Sequence, residues 1–213
     1  MKYFSTILTI LGLYFFVYAC AEKPCTDDGC DDFNELTIPE PLEDIRGEIQ
    51  IEKLVIPVIQ TESKDEFVYS LNECIDYLYA NEILPEHRVP KELIVAQAAI
   101  ETGWGKSRFA NEGNAMFGVR TWDLEHVAHM KAKGNPDANW GVKKYATKCQ
   151  SVQDMIRILN THPAYKEFRI SREKQIDAGK WDYRELLSGM TAWSTNPDYK
   201  EIILQTIIDN KLP

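Results

Sequence analysis

Residues 89–119 read VPKELIVAQAAIETGWGKSRFANEGNAMFGV, and this stretch decides the fold. Pro90 can occupy the first turn of a helix at no cost in hydrogen bonds, because the N–H it lacks would have no partner there. Leu93, Ile94, Ala96, Ala98, Ala99 and Ile100 then make the segment apolar nearly all round, which predicts a helix enclosed by a core. Gly103 and Gly105 end it. One carboxyl group interrupts the apolar run. Ile94, Ala98 and Glu101 follow one another at i, i+4 and i+7, so they share a helix face. Desolvation on that face, and the partial negative charge at the C-terminal end of a helix, both disfavour the ionised form. The spacing therefore predicts a carboxyl kept protonated near neutral pH, the state a general acid requires. A Glu turned sideways into water is the competing reading of the same spacing.

Helical patterning extends on both sides. From Asp65, a candidate cap, Phe67, Val68, Leu71, Ile75, Leu78 and Tyr79 recur at helical spacing as far as Pro85. Between Ala115 and Lys148 the period fails. Gly118, Gly134 and Gly141 punctuate short β-like pieces there, such as Gly141-Val-Lys-Lys-Tyr. The helical period returns at Met155, Ile156, Ile158 and Leu159, with Ser151 and Asp154 at the spacing of a capping box. Pro163 and Pro197 each open a further helix. The first reads as a surface helix, with Lys166, Arg169 and Arg172 on a basic outer face among Tyr165, Phe168 and Ile170. The second has Asn196 as candidate N-cap and buries Tyr199, Ile202, Ile203 and Ile207. The expected class is α+β, mostly α-helical, with one domain over 65–213 and a small β-lobe inserted in it.

A chain of 213 residues accommodates one such domain and a tail. With 44% apolar and 27% charged residues, it is neither disordered throughout nor fibrous. The net charge of −9 argues against a general nucleic-acid binder, whose footprint should be basic. That charge is concentrated: residues 20–64 carry net −8 and residues 65–213 net −2. Residues 20–64 read as an acidic tether followed by a docking segment, in which Ile49–Pro57 is apolar enough to lie on the domain as an extended strand. Ahead of them, Lys2 and the uncharged run Phe4–Ala19 form a secretory signal over residues 1–19, too short to cross a bilayer comfortably. Val17-Tyr18-Ala19-Cys20 resembles a bacterial lipobox, Tyr18 being bulkier than the residue usual there. It implies lipidation of Cys20 and a periplasmic or cell-envelope lipoprotein anchored in the outer membrane. A plain signal peptide or an uncleaved anchor are the alternatives, and all three export the domain. Cys25, Cys30, Cys74 and Cys149 remain, an even number suited to an oxidising compartment. Of the three pairings they allow, Cys25–Cys30 with Cys74–Cys149 mixes tail and domain least. His126 and His129 lack a third ligand at metal spacing and read as a solvated loop. No metal and no cofactor are expected.

The stretch from Val89 to Val119 resembles the catalytic core of bacterial N-acetylglucosaminidases that cut peptidoglycan, glycoside hydrolase family 73. Glu101 matches the acid in that family's helix motif, and Gly113-Asn114, Phe117 and Gly118 match the loop leading into the β-lobe of a lysozyme-like fold. SVQDMIRILNTHPAYKEFRISRE is similar to the bacterial Bax branch of the family, and Trp193-Ser194-Thr195 with Asp198-Tyr199 resembles its closing segment, with Trp in place of a Tyr. The resemblance implies hydrolysis of β-1,4 bonds after N-acetylglucosamine, an endo-β-N-acetylglucosaminidase acting on peptidoglycan strands; a monomer is expected. It implies Glu101 as general acid and places Tyr199 in the groove near it. Trp104, Asn114 and Phe117 are candidate sugar contacts, against readings as a clamp, a turn residue and a core residue. Tyr145, Trp181 and Trp193 read as packing. Glycosidases usually employ a second carboxylate. Glu125 or Asp137 is the candidate here, and the alternative is none, with the substrate's own acetamido group as nucleophile. Two other readings compete. A lytic transglycosylase of the same fold needs one acid but closes a muramyl ring, and a wall-binding lipoprotein would hold glycan without cutting it.

Overall fold

The computed structural model describes residues 55–212. The signal, Cys20, the pair Cys25 and Cys30, and the tether up to residue 54 lie outside the described residues. Helix α1 (Lys64–Asn81) buries Phe67, Leu71, Ile75 and Leu78 along one side. Its cap is Ser63, whose hydroxyl accepts from the Glu66 N–H; Asp65, the residue suggested by the sequence, lies in the first turn. Helix α2 (Lys91–Thr102) follows Pro90 as expected and packs between α1 and α7 (Tyr199–Asp209). Every residue from Leu93 to Ala99 is buried, so this helix forms the centre of the core. Full burial of side chains such as Leu93 and Ile94 contributes about 1.5–3 kcal/mol each.

The end of α2 is fixed by its own turn. Gly103 takes a left-handed φ of 57° and its N–H bonds the Ala99 carbonyl. Trp104 and Gly105 continue at positive φ. The Thr102 hydroxyl accepts from the Gly105 N–H at 2.7 Å, and the Ser107 N–H reaches the Thr102 carbonyl at 2.8 Å. A Cβ on Gly105 would run into Thr61 and the Phe67 ring. Thr61 belongs to the segment from Val55 to Glu62, which docks on the domain through Ile59. Ile59 enters the core, the Gln60 N–H bonds Ser70 Oγ at 2.8 Å, and Lys106 Nζ caps the Thr61 and Glu62 carbonyls.

Helix α3 (Arg108–Gly113) leads into the β-lobe, a three-stranded antiparallel sheet of β1 (Arg120–Thr121), β2 (His129–Met130) and β3 (Gly141–Lys143) in the order β1-β3-β2. Its register pairs Arg120 with Val142 and Met130 with Val142 on opposite edges of β3. Helix α4 (Lys148–Thr161) then returns to the core through Val152, Met155, Ile156 and Leu159. Thr147 caps it, so the supposed capping box at Ser151 and Asp154 is in fact mid-helix. Both residues are used otherwise. Ser151 Oγ accepts from the buried Met116 N–H at 2.9 Å and thereby ties the loop after α3 to α4. Cys74 of α1 and Cys149 of α4 form a disulfide across a sequence separation of 75.

Helix α5 (Lys166–Ala178), preceded by a 3-10 turn at Pro163–Tyr165, corrects the reading of a wholly basic outer face. Arg172 is 5% exposed and donates to Asn160 Oδ1 at 2.6 Å, while Arg169 donates to the Leu159 and His162 carbonyls. Helix α6 (Tyr183–Ser188) packs on α5 and α7. At the start of α7 Asn196 accepts from the Asp198 N–H one turn early, and Asp198 holds the cap position.

Candidate active site

Glu101 sits one residue from the C-terminal end of α2, where the buried helix emerges into a groove of about 980 Å³. The groove has three walls. One is the β-lobe edge from Phe117 to Trp122 with Lys143; another is α4 and the following turn, from Arg157 to Tyr165. The third is the segment Thr191–Thr195 between α6 and α7. Glu101 is exposed to the groove, yet enough protein surrounds its carboxyl that desolvation raises its pKa above the ordinary Glu value. The hydrogen bond from Tyr199, and the Trp193 indole nearby, offset part of that rise.

Tyr199 Oη donates to Glu101 Oε1 at 2.9 Å. Behind it, Gln97 Nε2 donates to the same phenol oxygen at 3.2 Å. Gln97 lies one turn before Glu101 on α2, is fully buried, and its Oε1 has no partner among the described residues. Because the amide donates to Tyr199, the phenol hydrogen is left to point at Glu101. Burial and the adjacent Glu101 raise the Tyr199 pKa, so it remains a donor throughout the working pH range. Trp193 packs edge-on to Phe117 at 6.3 Å and tilted against Tyr165 at 6.0 Å, forming an aromatic floor beside the carboxyl. Such a site can hold a neutral carboxyl next to a sugar ring and release its proton to a leaving oxygen.

The structure thus brings together Glu101, Phe117 and Tyr199. Phe117, 4% exposed, supports Trp193 from below the groove surface. Trp104 and Asn114 are elsewhere. Trp104 packs edge-on against Phe67 at 5.9 Å under the Lys64 ammonium, as a clamp on the turn. Asn114 caps α3 at a φ of 53° and donates to the Tyr145 and Ala146 carbonyls, both at 3.0 Å. Glu125 and Asp137 lie exposed in β-lobe turns, and neither lines the groove. Glu101 is the sole carboxylate among the described lining residues. His126 pairs with Asp123, and His129 faces the Val127 carbonyl.

Three contributors do not stand out as site residues in the sequence. Gln97 carried a signal, a polar residue at i−4 from Glu101 in an otherwise apolar helix. Trp193 was taken for packing, and it does pack, but its indole also serves Glu101. Asp154 accepts from Tyr145 Oη at 2.7 Å, from Lys143 at 3.1 Å and from Arg157 Nε at 2.9 Å. Burial would raise the Asp154 pKa, but those three donors hold it below the ordinary Asp value.

Residues 78–212 match the glucosaminidase family, described as mannosyl-glycoprotein endo-beta-N-acetylglucosaminidase. The chain belongs to the glucosaminidase family. Protein bax of Escherichia coli is 34% identical over 86 residues, which cover 39% of this chain and 28% of that protein. The peptidoglycan hydrolase FlgJ of Vibrio cholerae is 26% identical over 158 residues, 68% of this chain and 43% of its own. The chain therefore spans less than half the length of these two relatives. The catalytic domain of the autolysin Auto from Listeria monocytogenes superposes with a TM-score of 0.51 at 16% identity, covering 70% of this chain and 85% of that one. The glucosaminidase domain accordingly has the expected α+β, mostly helical, lysozyme-like fold.

Proposed function

We propose that the chain is a peptidoglycan hydrolase that cleaves β-1,4 glycosidic bonds after N-acetylglucosamine, an endo-β-N-acetylglucosaminidase with Glu101 as general acid. The observation that carries this reading is the Glu101 carboxyl, its pKa raised by burial and its Oε1 bonded by Tyr199, opening into a groove within the family-matched residues. Glu101 gives its proton to the departing glycosidic oxygen as the bond to the anomeric carbon breaks, and water then adds at that carbon. The groove holds no second carboxylate among its described residues, which favours the substrate's own acetamido oxygen as the group that meets the positive charge at the anomeric carbon. The same observation favours a second reading, a lytic transglycosylase, in which a muramyl hydroxyl takes the place of water.

We further propose that residues 1–19 export the chain, that lipidated Cys20 anchors it in the outer membrane, and that the acidic stretch after Cys20 spaces a monomeric domain from that surface. The Cys74–Cys149 bridge supports an oxidising compartment. The test is digestion of purified peptidoglycan by the full chain and by Glu101→Gln, with glycan ends identified by mass spectrometry. New reducing N-acetylglucosamine ends, reduced about 10²–10⁴-fold in the variant, are expected. Anhydro-muramyl ends would move the chain to the lyases. Glycan binding without cleavage would leave a wall-binding lipoprotein. Fatty-acid labelling of the same chain checks Cys20.

A further inference from the structure

The β-lobe and α4 walls of the groove carry an arrangement that proton transfer to a glycosidic oxygen does not use. Residues alternate faces along a strand, and in β1 Thr121 points into the core at 6% exposure while Arg120 and the following Trp122 face the groove. Trp122 is 63% exposed, a large apolar surface left largely uncovered inside a groove. The Arg120 guanidinium lies over the Trp140 ring, 4.2 Å from its centroid, and enters no ion pair among the described residues. Stacking fixes the plane of a guanidinium and leaves its N–H edge to bond another group.

Lys143 from β3 and Arg157 from α4 line the same groove and share the single carboxylate of Asp154. Asp154 thus positions both cations while neutralising one. With Arg120 these two walls carry an excess of two positive charges, in a groove whose one lining carboxyl among the described residues, Glu101, is neutral when it acts. The rest of the domain does not share this bias, since residues 65–213 are net negative by two. A groove for a neutral oligosaccharide has no need of it.

We propose that these two walls form a subsite for a carboxylate-bearing sugar residue, with Trp122 stacked on the ring face, Arg120 paired to the carboxylate, and the Lys143–Asp154–Arg157 cluster adding positive charge beside it. The inference rests on the peptidoglycan reading above, in which the residue is a muramyl sugar. Its carboxylate is either the free lactyl group or a carboxylate of the peptide attached there. Guanidinium–carboxylate pairing is planar and charge-assisted, so it distinguishes such a strand from an uncharged glycan of the same length.

Binding is measured on the full chain carrying Glu101→Gln, by calorimetry, with three tetrasaccharides: an uncharged chitotetraose, a muramyl tetrasaccharide stripped of peptide, and its peptide-bearing form. A muramyl ligand should bind at least about tenfold tighter than chitotetraose, in line with one charge-assisted pair, and rising salt should erode the difference. Arg120→Gln and Arg157→Gln should each reduce the preference. Trp122→Ala should weaken all three ligands alike. A preference confined to the peptide-bearing ligand assigns the contact to the peptide carboxylate, and one present in both muramyl ligands assigns it to the lactyl group. Equal affinity for charged and uncharged ligands, or a preference untouched by Arg120→Gln, whose guanidinium lies only on Trp140, overturns the proposal. Failure of the hydrolase reading looks different, because then wild-type chain leaves peptidoglycan intact whatever the affinities.

Discussion

At the residue scale the site rests on a relay of three side chains. Gln97 orients Tyr199, and Tyr199 tunes Glu101. The Glu101 pKa is raised by burial and pulled back by donors, so removing a donor lets it rise further. A general acid works protonated, and its activity is lost as pH climbs through its pKa. Tyr199→Phe should therefore move the basic limb of the kcat/KM profile to higher pH while lowering its plateau. It also strips the buried Gln97 amide of its acceptor, at a cost of about 1–3 kcal/mol. A basic limb that stays put or moves down would show that Tyr199 does not tune this carboxyl. Glu101 was legible because the helical period places it on an apolar face. Trp193 was not, because periodicity gives the depth of an aromatic side chain and is silent on where its N–H points.

Elements were legible to the extent that glycine, proline and apolar spacing bound them. Helix α2 ends where Gly103 said it would, and β3 begins at Gly141, where a Cβ would meet the His129 ring at 2.6 Å. The start of α4 was misplaced by one turn because Thr147 and Ser151 are both good caps. What separates them is tertiary: Thr147 accepts from Gln150 within its own turn, whereas Ser151 is claimed by Met116 from another element. Arg172 was misplaced for a related reason, since its partners, the His87 carbonyl and Asn160, come from other elements. The Ser151 bond has a measurable role. Met116 and Ser151 are both buried, so Ser151→Ala leaves a donor N–H with no partner in the loop that carries Phe117 to the groove. Urea unfolding should show a loss of about 1–3 kcal/mol with an unchanged slope. A loss below about 0.5 kcal/mol would mean that water reaches Met116.

At the scale of the whole molecule, the groove is an assembly of residues distant in sequence: Glu101 of α2, Trp122 and Lys143 of the β-lobe, Arg157 of α4 and Trp193 of the segment before α7, so its width depends on the distance between α2 and α4. Sequence period reports which face of each helix is buried, but not where two faces meet, and the gathering of Arg120, Lys143 and Arg157 in the groove was invisible for that reason. The Cys74–Cys149 bridge bears directly on this distance, since it fastens α1, which packs against α2, to the first turn of α4. The same helix carries Ser151, Asp154 and Arg157 farther along. Closing a loop of 75 residues in the unfolded chain removes conformational freedom worth about 4–5 kcal/mol by the chain-entropy argument. Much of a single domain's net stability, about 5–15 kcal/mol, would then depend on this one bond. Cys74→Ser paired with Cys149→Ser should lower the urea midpoint accordingly. Activity at low urea should persist, because helix packing, with both cysteine positions fully enclosed, still sets the groove. A variant as stable as the parent would show that the unfolded chain is already compact around these two positions, and the bridge would then be a consequence of the fold and not one of its supports.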